Sequence, residues 1–329
     1  MRSASTIRRI MRSVLAASII VPSTIGPVIA CTGGPGELPD PSDETGGAGS
    51  CVQGECRPAA QIDAPACGRY IVPLTGDCSG LVDAALSSEQ CEELCGSMTF
   101  CRVSGTEADC FTSCGDGRRY DSLDDTRAPS STDIGSYLAR MAFFEAASVD
   151  AFALLASDLR RHGAPTSLIR SSLAARRDEI RHARMAATLA RRHGGAAVAP
   201  PAPRIGAPRS LEDIAVENAV EGCVRETFGV LLGLWQAEHA ETAELRAFFG
   251  ALATDESRHA ALAMRVDAWL RSRLSESAIE RVDAARERAL VELEASLAAQ
   301  PLPGLGLPSA AQAKALLATW LAATTALAA

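Results

Sequence analysis

Beyond residue 131 the apolar positions recur every three or four residues, which is the spacing of one buried face of an α-helix. Glycine and proline interrupt this pattern and divide it into separate helices. Ser210 is placed as an N-cap with Asp213 completing a capping box, and Thr166 is a candidate N-cap after Pro165. The predicted helices cover residues 132–162, 166–193, 210 onward, about 242–274, about 276–299 and 309–328.

The lengths of the connections constrain how these helices are arranged. The loops after the first and third helices are short, so each of them joins an antiparallel hairpin. The 17-residue segment 194–210 is rich in proline and can span roughly 56 Å, whereas the second helix is roughly 42 Å long. Because this segment can run the whole length of the helices, the sequence predicts an all-α four-helix bundle with one long crossover. Two additional C-terminal helices follow it.

The two predicted hairpins repeat each other in sequence. Residues 145–152, EAASVDAF, match residues 221–228, EGCVRETF. Residues 178–183, DEIRHA, match residues 255–260, DESRHA. The spacing between the two segments differs by only one residue between the halves. The bundle therefore consists of two similar halves.

Acidic residues and histidines fall in the apolar seam of each helix, near its middle. Four buried carboxylates would repel one another, and the only lysine of the chain, Lys314, is not in this seam. Two divalent cations would supply the four positive charges that are needed. In Glu-x-x-His both side chains leave the same helical face, so the imidazoles can complete the metal coordination. The candidate ligands are Glu145, Glu179, His182, Glu221, Glu256 and His259.

One Glu from each of two helices and Glu-x-x-His from each of the other two is the ligand pattern of dimetal carboxylate bundles. With its doubled Asp-Glu-x-Arg-His, the region 132–274 resembles the ferritin-like superfamily, and in particular its oxygen-activating branch. The resemblance implies a ferritin-like bundle in which these six residues bind two iron ions, with manganese as an alternative. It also implies dioxygen or peroxide and a small reductant or substrate as reaction partners. No catalytic residue beyond the ligands is implied.

Several neighbouring residues are candidates for supporting roles. Asp178 and Asp255 each precede a ligand histidine by four residues, where a carboxylate can orient an imidazole; otherwise they are solvated surface acids. Glu226 is the alternative to Glu221, but it follows by five residues, about 140° around an α-helix, so we expect Glu221 to be the ligand. Glu217 is one turn before Glu221 and is a candidate for an extra ligand or for lining the metal's entry.

The overall charge and composition exclude some classes of partner. Aromatic residues make up only 4% of the chain, which suits packed helices better than a β-sandwich or barrel. The net charge is −8, and this acidic character argues against nucleic acid and against anionic lipid as a partner.

Nine of the eleven cysteines lie between Cys51 and Cys114, which indicates a small disulfide-rich module rather than a zinc site. Zinc sites favour paired C-x-x-C, which does not occur, and its absence also excludes a rubredoxin-like electron relay. Two C-x3-C pairs, 91/95 and 110/114, have the spacing of one helical face, so two helical turns stapled together are expected. The pairing itself stays open, and Cys223 is a candidate partner for the odd thiol.

The first 30 residues are typical of a signal peptide, with a basic start followed by an apolar stretch. They end in Val-Ile-Ala-Cys, which resembles a bacterial lipobox with Cys31 as the lipidated residue; the alternative is a cleaved signal with Cys31 in a disulfide. The Gly- and Pro-rich residues that follow form a tether. We therefore expect an exported lipoprotein of the bacterial cell envelope, in the periplasm or at the outer membrane, that touches the membrane only through its lipid anchor.

These patterns together predict the domain organisation and two alternative functions. The site suits a di-iron oxidoreductase of the oxidase or ferroxidase type, or a manganese centre with catalase-like turnover. The alternative is a non-enzymatic metal-binding or structural lipoprotein in which the metals only neutralise buried Glu. The predicted regions are a signal peptide (1–30), lipidated Cys and tether (31–50), Cys-rich module (51–114), linker (115–131), bundle (132–274) and C-terminal helices (275–329).

Overall fold

The computed structural model describes residues 56–60, 68–82, 86, 88–95, 100–112, 117–124, 127–129, 133–204, 206–297 and 302–328. The predicted signal peptide, the lipidated Cys31 and the tether lie outside the described residues. Within those residues, none of the helices combines the length and the apolar character needed to span a membrane.

The Cys-rich module contains an antiparallel sheet as well as a helix, so the prediction of an all-α chain is wrong for this part. Four strands lie in the order β1-β2-β4-β3. The turn between β3 and β4 contains Gly105, whose φ of 61° is the left-handed conformation that glycine adopts most easily. The elements are β1 (Arg57–Pro58), β2 (Gly68–Thr75), helix α1 (Ser88–Cys95), β3 (Phe100–Ser104) and β4 (Glu107–Thr112).

Disulfides attach α1 to this sheet. Cys91 bonds to Cys101 of β3, and Cys95 bonds to Cys110 of β4. Cys101 and Cys110 are directly opposite each other in the strand register, so their side chains lie on one face of the sheet. Two cysteines four apart on α1 also share one face, which matches that pair. The expected helical pairing is therefore wrong for Cys110, which lies in a strand.

A third disulfide, Cys56–Cys78, lies in the same module. Cys51, Cys67 and Cys114 lie outside the described residues. Cys223 is buried with a free thiol, and burial raises its pKa to about 12. Its thiol is therefore protonated and unreactive at neutral pH.

The remainder of the chain is helical, with boundaries close to those predicted. Capping boxes at Asp133–Ser136 and Ser210–Asp213 fix two of the helix starts, and the second of these was predicted. Thr166 is the first helical residue rather than the N-cap. The helices are α2 (Ile134–Arg161), α3 (Thr166–Arg192), α4 (Leu211–Glu217), a π-helical segment (Asn218–Glu226), α5 (Thr227–His239), α6 (Ala243–Arg271), α7 (Glu276–Ala295) and α8 (Ala310–Ala328).

Two apolar clusters hold the long helices together. One contains Leu138 of α2, Leu189 of α3 and Phe249 of α6. The other contains Leu155 of α2 and Val266 of α6, together with residues of α3 and α4. The two clusters lie on either side of the middle of the helices. The middle itself is polar, and it holds the candidate metal centre.

Residues 117–120, within the predicted linker, pack against the π-helical segment. Arg118 is 1% exposed and donates hydrogen bonds to Asn218 Oδ1 at 3.3 Å and to Glu217 Oε1 at 3.2 Å. At Gly222 a Cβ would lie 2.8 Å from Arg118 Nη1, so the absence of a side chain there makes room for the guanidinium. Tyr120 is also buried. A short stretch before the bundle thus covers the segment that carries Glu221 and Glu226.

Replacing Arg118 with methionine is expected to lower the free energy of unfolding by about 3 kcal/mol, because a buried charged pair loses one partner. The measurement is denaturant unfolding of the helices, followed by circular dichroism in metal-free protein. Arg127→Met is the matched control, because Arg127 is exposed. Equal effects of the two substitutions would contradict a structural role for the buried guanidinium.

Candidate metal centre

Six buried side chains from four helical stretches meet between the two apolar clusters. Each of them is at most 9% exposed. The α-helical spacing of three residues places Glu179 with His182 on one face of α3, and Glu256 with His259 on one face of α6. The six residues are Glu145 of α2, Glu179 and His182 of α3, Glu226 of the π-helical segment, and Glu256 and His259 of α6.

Glu179 and Glu256 lie between the two histidines, and each directs one carboxylate oxygen to each imidazole. Glu179 Oε2 is 3.5 Å from His182 Nδ1, and Glu179 Oε1 is 3.0 Å from His259 Nδ1. Glu256 Oε1 is 3.3 Å from His182 Nδ1, and Glu256 Oε2 is 3.2 Å from His259 Nδ1. Each of the two carboxylates therefore connects the His182 side of the cluster with the His259 side.

Glu145 and Glu226 lie at the two ends of this arrangement. Glu145 Oε2 is 3.4 Å from His182 Nδ1, so Glu145 belongs to the same ligand group as His182. Glu226 groups instead with Glu256 and His259, with ligand atoms within 4.8 Å of one another. The cluster thus has two halves, one around His182 and one around His259, but in the internal repeat Glu145 corresponds to Glu221 and not to Glu226.

The structure brings Glu226, rather than Glu221, into this cluster. Glu221 is also buried, at 7% exposed, but it bonds outside the cluster: Arg225 Nη1 donates to it at 2.6 Å and the backbone N–H of Arg119 donates at 3.2 Å. The preference for Glu221 assumed an uninterrupted α-helix, but residues Asn218–Glu226 are π-helical. A π-helical turn contains more residues than an α-helical turn, so the residues beyond it are rotated relative to those of an uninterrupted α-helix.

The phase of the helix changes across the π-helical segment. Before it, Ile214 packs into the core with α2 and α6. After it, Val230 and Leu234, four and eight residues beyond Glu226, pack against α6. Phe228, which would share the face of Glu221 in an uninterrupted α-helix, packs instead against α7 and α8. The π-helical segment therefore places Glu226 in the cluster, where an uninterrupted α-helix would place Glu221.

Asp178 and Asp255 contact the imidazoles, but each contacts the histidine of the other half. His182 Nε2 is 3.0 Å from Asp255 Oδ2, and His259 Nε2 is 3.4 Å from Asp178 Oδ2. Donation from Nε2–H to the aspartate leaves the Nδ1 lone pair free for a metal ion. Both aspartates thus contact an imidazole across the repeat rather than along one helix, and their role in orienting metal ligands stays a prediction.

Two arginines connect these aspartates at the surface. Arg181 bonds to Asp178 at 2.9 Å and also to Asp255. Arg258 bonds to Asp255 at 2.6 Å and to Asp178 at 3.1 Å. The four alternating charges form a ring over the histidines, which we call the arginine–aspartate ring.

Glu217 lies outside the cluster. Arg118 and Arg209 both bond to its carboxylate, and Arg209 also binds Asp158 at 2.6 Å. Glu217 and Glu221 line a neighbouring cavity of about 670 Å³ between residues 119–123 and the π-helical segment. Glu217 is therefore not among the clustered side chains, and its other predicted role, lining the metal's entry, stays a prediction.

Several buried atoms of the cluster have no hydrogen-bond partner. A buried carboxylate oxygen without a partner is strongly destabilising, so such atoms indicate a missing ligand. Divalent metal ions are bound by carboxylate oxygens and imidazole nitrogens, which is the donor set present here. The residues therefore fit a metal-bound state. The unpartnered atoms are Glu145 Oε2, Glu179 Oε2, His182 Nδ1, both oxygens of Glu226 and Glu256 Oε1.

In the metal-free protein, bound protons neutralise the negative charge of the buried carboxylates. Burial raises the pKa of Glu145 well above its usual range and that of Glu226 to about 8. Burial would also raise the pKa of Glu256, but the charge of His259, its hydrogen bond and the charge of His182 outweigh it and lower this pKa to about 2. For both histidines burial lowers the pKa, but neighbouring carboxylates outweigh it and raise it well above the usual value. The outer carboxyls and the imidazoles are thus protonated.

Comparisons of the chain with models of known protein families, with curated proteins and with solved structures each find no match. The structure is mostly helical, with a disulfide-rich N-terminal module and a buried Glu/His cluster that could hold a metal ion.

Proposed function

We propose that the chain is a ferritin-like protein whose buried cluster binds two metal ions, and that it catalyses an oxygen- or peroxide-dependent oxidation. The observation that carries the proposal is the placement of Glu179 and Glu256, each with one oxygen towards each histidine Nδ1. Glu145 with His182 then completes one metal position, and Glu226 with His259 completes the other. Iron is the proposed metal, and manganese suits the same ligands.

Charge balance supports two ions. The four glutamates carry four negative charges when ionised, and two divalent cations neutralise them without protonating the histidines. The chain supplies no lysine to the cluster, because Lys314 lies on α8. Metal binding thereby satisfies the unpartnered carboxylate oxygens.

When two iron ions are bound, they supply electrons for the reduction of dioxygen or peroxide. Side chains around the metal ligands hold the ligands in position and exclude water. Asp178 and Asp255 fix the tautomer of each histidine. The ring of Phe152 packs edge-on against His259, with 5.1 Å between the ring centroids. Together with the two apolar clusters, it keeps water away from the side of the Glu/His cluster that faces the protein interior. The signal-like start and Cys31 support a location in the cell envelope.

Anaerobic loading with Fe(II), followed by elemental analysis and stopped-flow oxygen uptake, tests the proposal. We expect two iron ions per chain and consumption of oxygen on mixing. Metal binding that raises the melting temperature without any oxygen uptake would favour the non-enzymatic alternative. Absence of metal above background would overturn the proposal as a whole.

Metal affinity is expected to rise between pH 6 and pH 8, because the metal must displace protons from Glu226, Glu145 and the histidines. Each displaced proton changes the affinity by about tenfold per pH unit. Calorimetric titration with Mn(II), in two buffers of different protonation enthalpy, measures both the affinity and the protons released. Glu226→Gln, which removes a carboxyl with a pKa of about 8, is expected to release at least one proton fewer at pH 7. An affinity that does not change with pH would contradict the protonated state of the metal-free cluster.

A further inference from the structure

A recess runs along the outer side of α3, where this helix packs against the first turns of α6. Its volume is about 730 Å³, which lies within the size range of small-molecule sites. Leu189 and Phe248 are buried at its floor. Ile180 and Met185 form half-buried walls. The interior of the recess is therefore apolar.

The rim of the recess is strongly basic, although the chain as a whole has a net charge of −8. Four arginines line it, and the only acid among the lining residues is Glu244, which bonds to Arg192. Arg181 belongs to the arginine–aspartate ring. The other two, Arg177 and Arg184, have no acidic partner among the described residues. Two positive charges are thus available beside an apolar recess.

We propose that this recess binds an anionic amphiphile with a single alkyl chain, of the fatty-acid class. The carboxylate binds Arg177 and Arg184, and the alkyl chain lies over Met185, Leu189 and Phe248. From the point midway between Arg177 and Arg184, where the carboxylate binds, to Arg192 the helix rises roughly 17 Å, at about 1.5 Å per residue. That length accommodates an extended acyl chain, which spans roughly half of a bilayer core of about 30 Å.

The shape of this surface favours a single molecule over a bilayer. A surface that inserts into lipid presents large apolar side chains outward. The exposed large apolar side chains of the described residues are Ile71, Val82, Val198 and Val291, and none of them lines the recess. The apolar atoms lie inside the recess and the charges at its rim, which is complementary to one anionic head and one chain.

Arg181 connects the recess to the metal centre. Its guanidinium lines the recess and bonds to Asp178 and Asp255, which hold His259 and His182. A carboxylate at the rim therefore lies next to the residues that orient the ligand histidines. Binding itself uses no metal ligand, so it is expected in the metal-free protein.

Calorimetric titration of the full chain with laurate, below its critical micelle concentration and without metal, tests the proposal. We expect saturable binding of one laurate per chain, and much weaker binding of neutral dodecanol. Arg177→Gln/Arg184→Gln is expected to weaken laurate binding at least about tenfold, through the loss of two charge-assisted contacts. Ala247→Trp fills the recess from an exposed position of α6 without changing the charge, and is expected to weaken binding similarly.

Arg170→Gln is the matched control, because Arg170 is an exposed arginine of the same helix outside the recess. It is expected to leave laurate binding unchanged. The proposal is overturned if laurate does not bind, if dodecanol binds equally well, or if Arg170→Gln weakens binding as much as the double substitution. Binding only to phosphatidylglycerol vesicles, and not to monomeric laurate, would also overturn it in favour of a membrane surface.

Discussion

Replacing both Glu179 and Glu256 with alanine is expected to reduce the metal content from two ions per chain to none. Each of these carboxylates directs one oxygen to each histidine Nδ1. In the proposed centre, removing both carboxylates therefore takes two ligands from each metal ion. The remaining Glu145/His182 and Glu226/His259 pairs would each offer two ligands, too few for a buried site. Elemental analysis after anaerobic loading with Fe(II) measures the loss.

A matched double substitution, Glu238→Ala/Glu287→Ala, removes two exposed carboxylates and is expected to retain both ions. Because the alanine variant leaves space in the core, Glu179→Gln/Glu256→Gln provides a version of nearly the same volume. Circular dichroism verifies that each variant keeps its helices. Full metal content in the folded glutamine variant would show that the metal is bound elsewhere.

Glu226→Gln is expected to reduce the metal content from two ions to one, whereas Glu221→Gln retains both. Glu226 belongs to the group around His259, and both of its oxygens lack a partner, while Glu221 bonds to Arg225 and to the backbone of Arg119. The two variants make the same chemical change five residues apart. Comparing their iron content under identical loading therefore separates the two candidates.

The opposite result, loss of an ion in Glu221→Gln alone, would show that residues 218–226 become α-helical when metal is bound. Loss in both variants would show that both carboxylates bind the metal. Either result contradicts the assignment of Glu226 as the single ligand from this segment.

The positions of the helices could be predicted because capping and periodicity are local properties of the sequence. Ser210 with Asp213 forms the predicted capping box, and α6 and α7 begin after Thr242 and Ser275, whose side chains accept from the first turn. Five residues of the cluster were predicted because they keep α-helical phase with apolar neighbours. The charges alone indicated that they would need a counter-charge.

The sixth residue could not be predicted in this way, because the π-helical segment changes the phase and its one glycine, Gly222, does not distinguish it from an ordinary α-helix in the sequence. The contacts of Asp178 with His259 and of Asp255 with His182 depend on how α3 packs against α6. The spacing of residues along one helix gives no information about that packing. The β3–β4 hairpin, in contrast, had a signal. Residues 100–112, FCRVSGTEADCFT, place a Gly-Thr turn between two short segments, which is typical of a hairpin. The C-x3-C spacing of 110/114 favoured a helix instead.

The exchange of aspartates between the two halves makes neither half sufficient by itself. His182 depends on Asp255, and His259 depends on Asp178, so a single hairpin would carry a ligand histidine whose tautomer nothing fixes. Two identical hairpins that associate about a two-fold axis would exchange the same contacts with each other. The present chain thus has the form of a fused homodimer, in which the crossover of residues 193–210 turns association between molecules into folding within one.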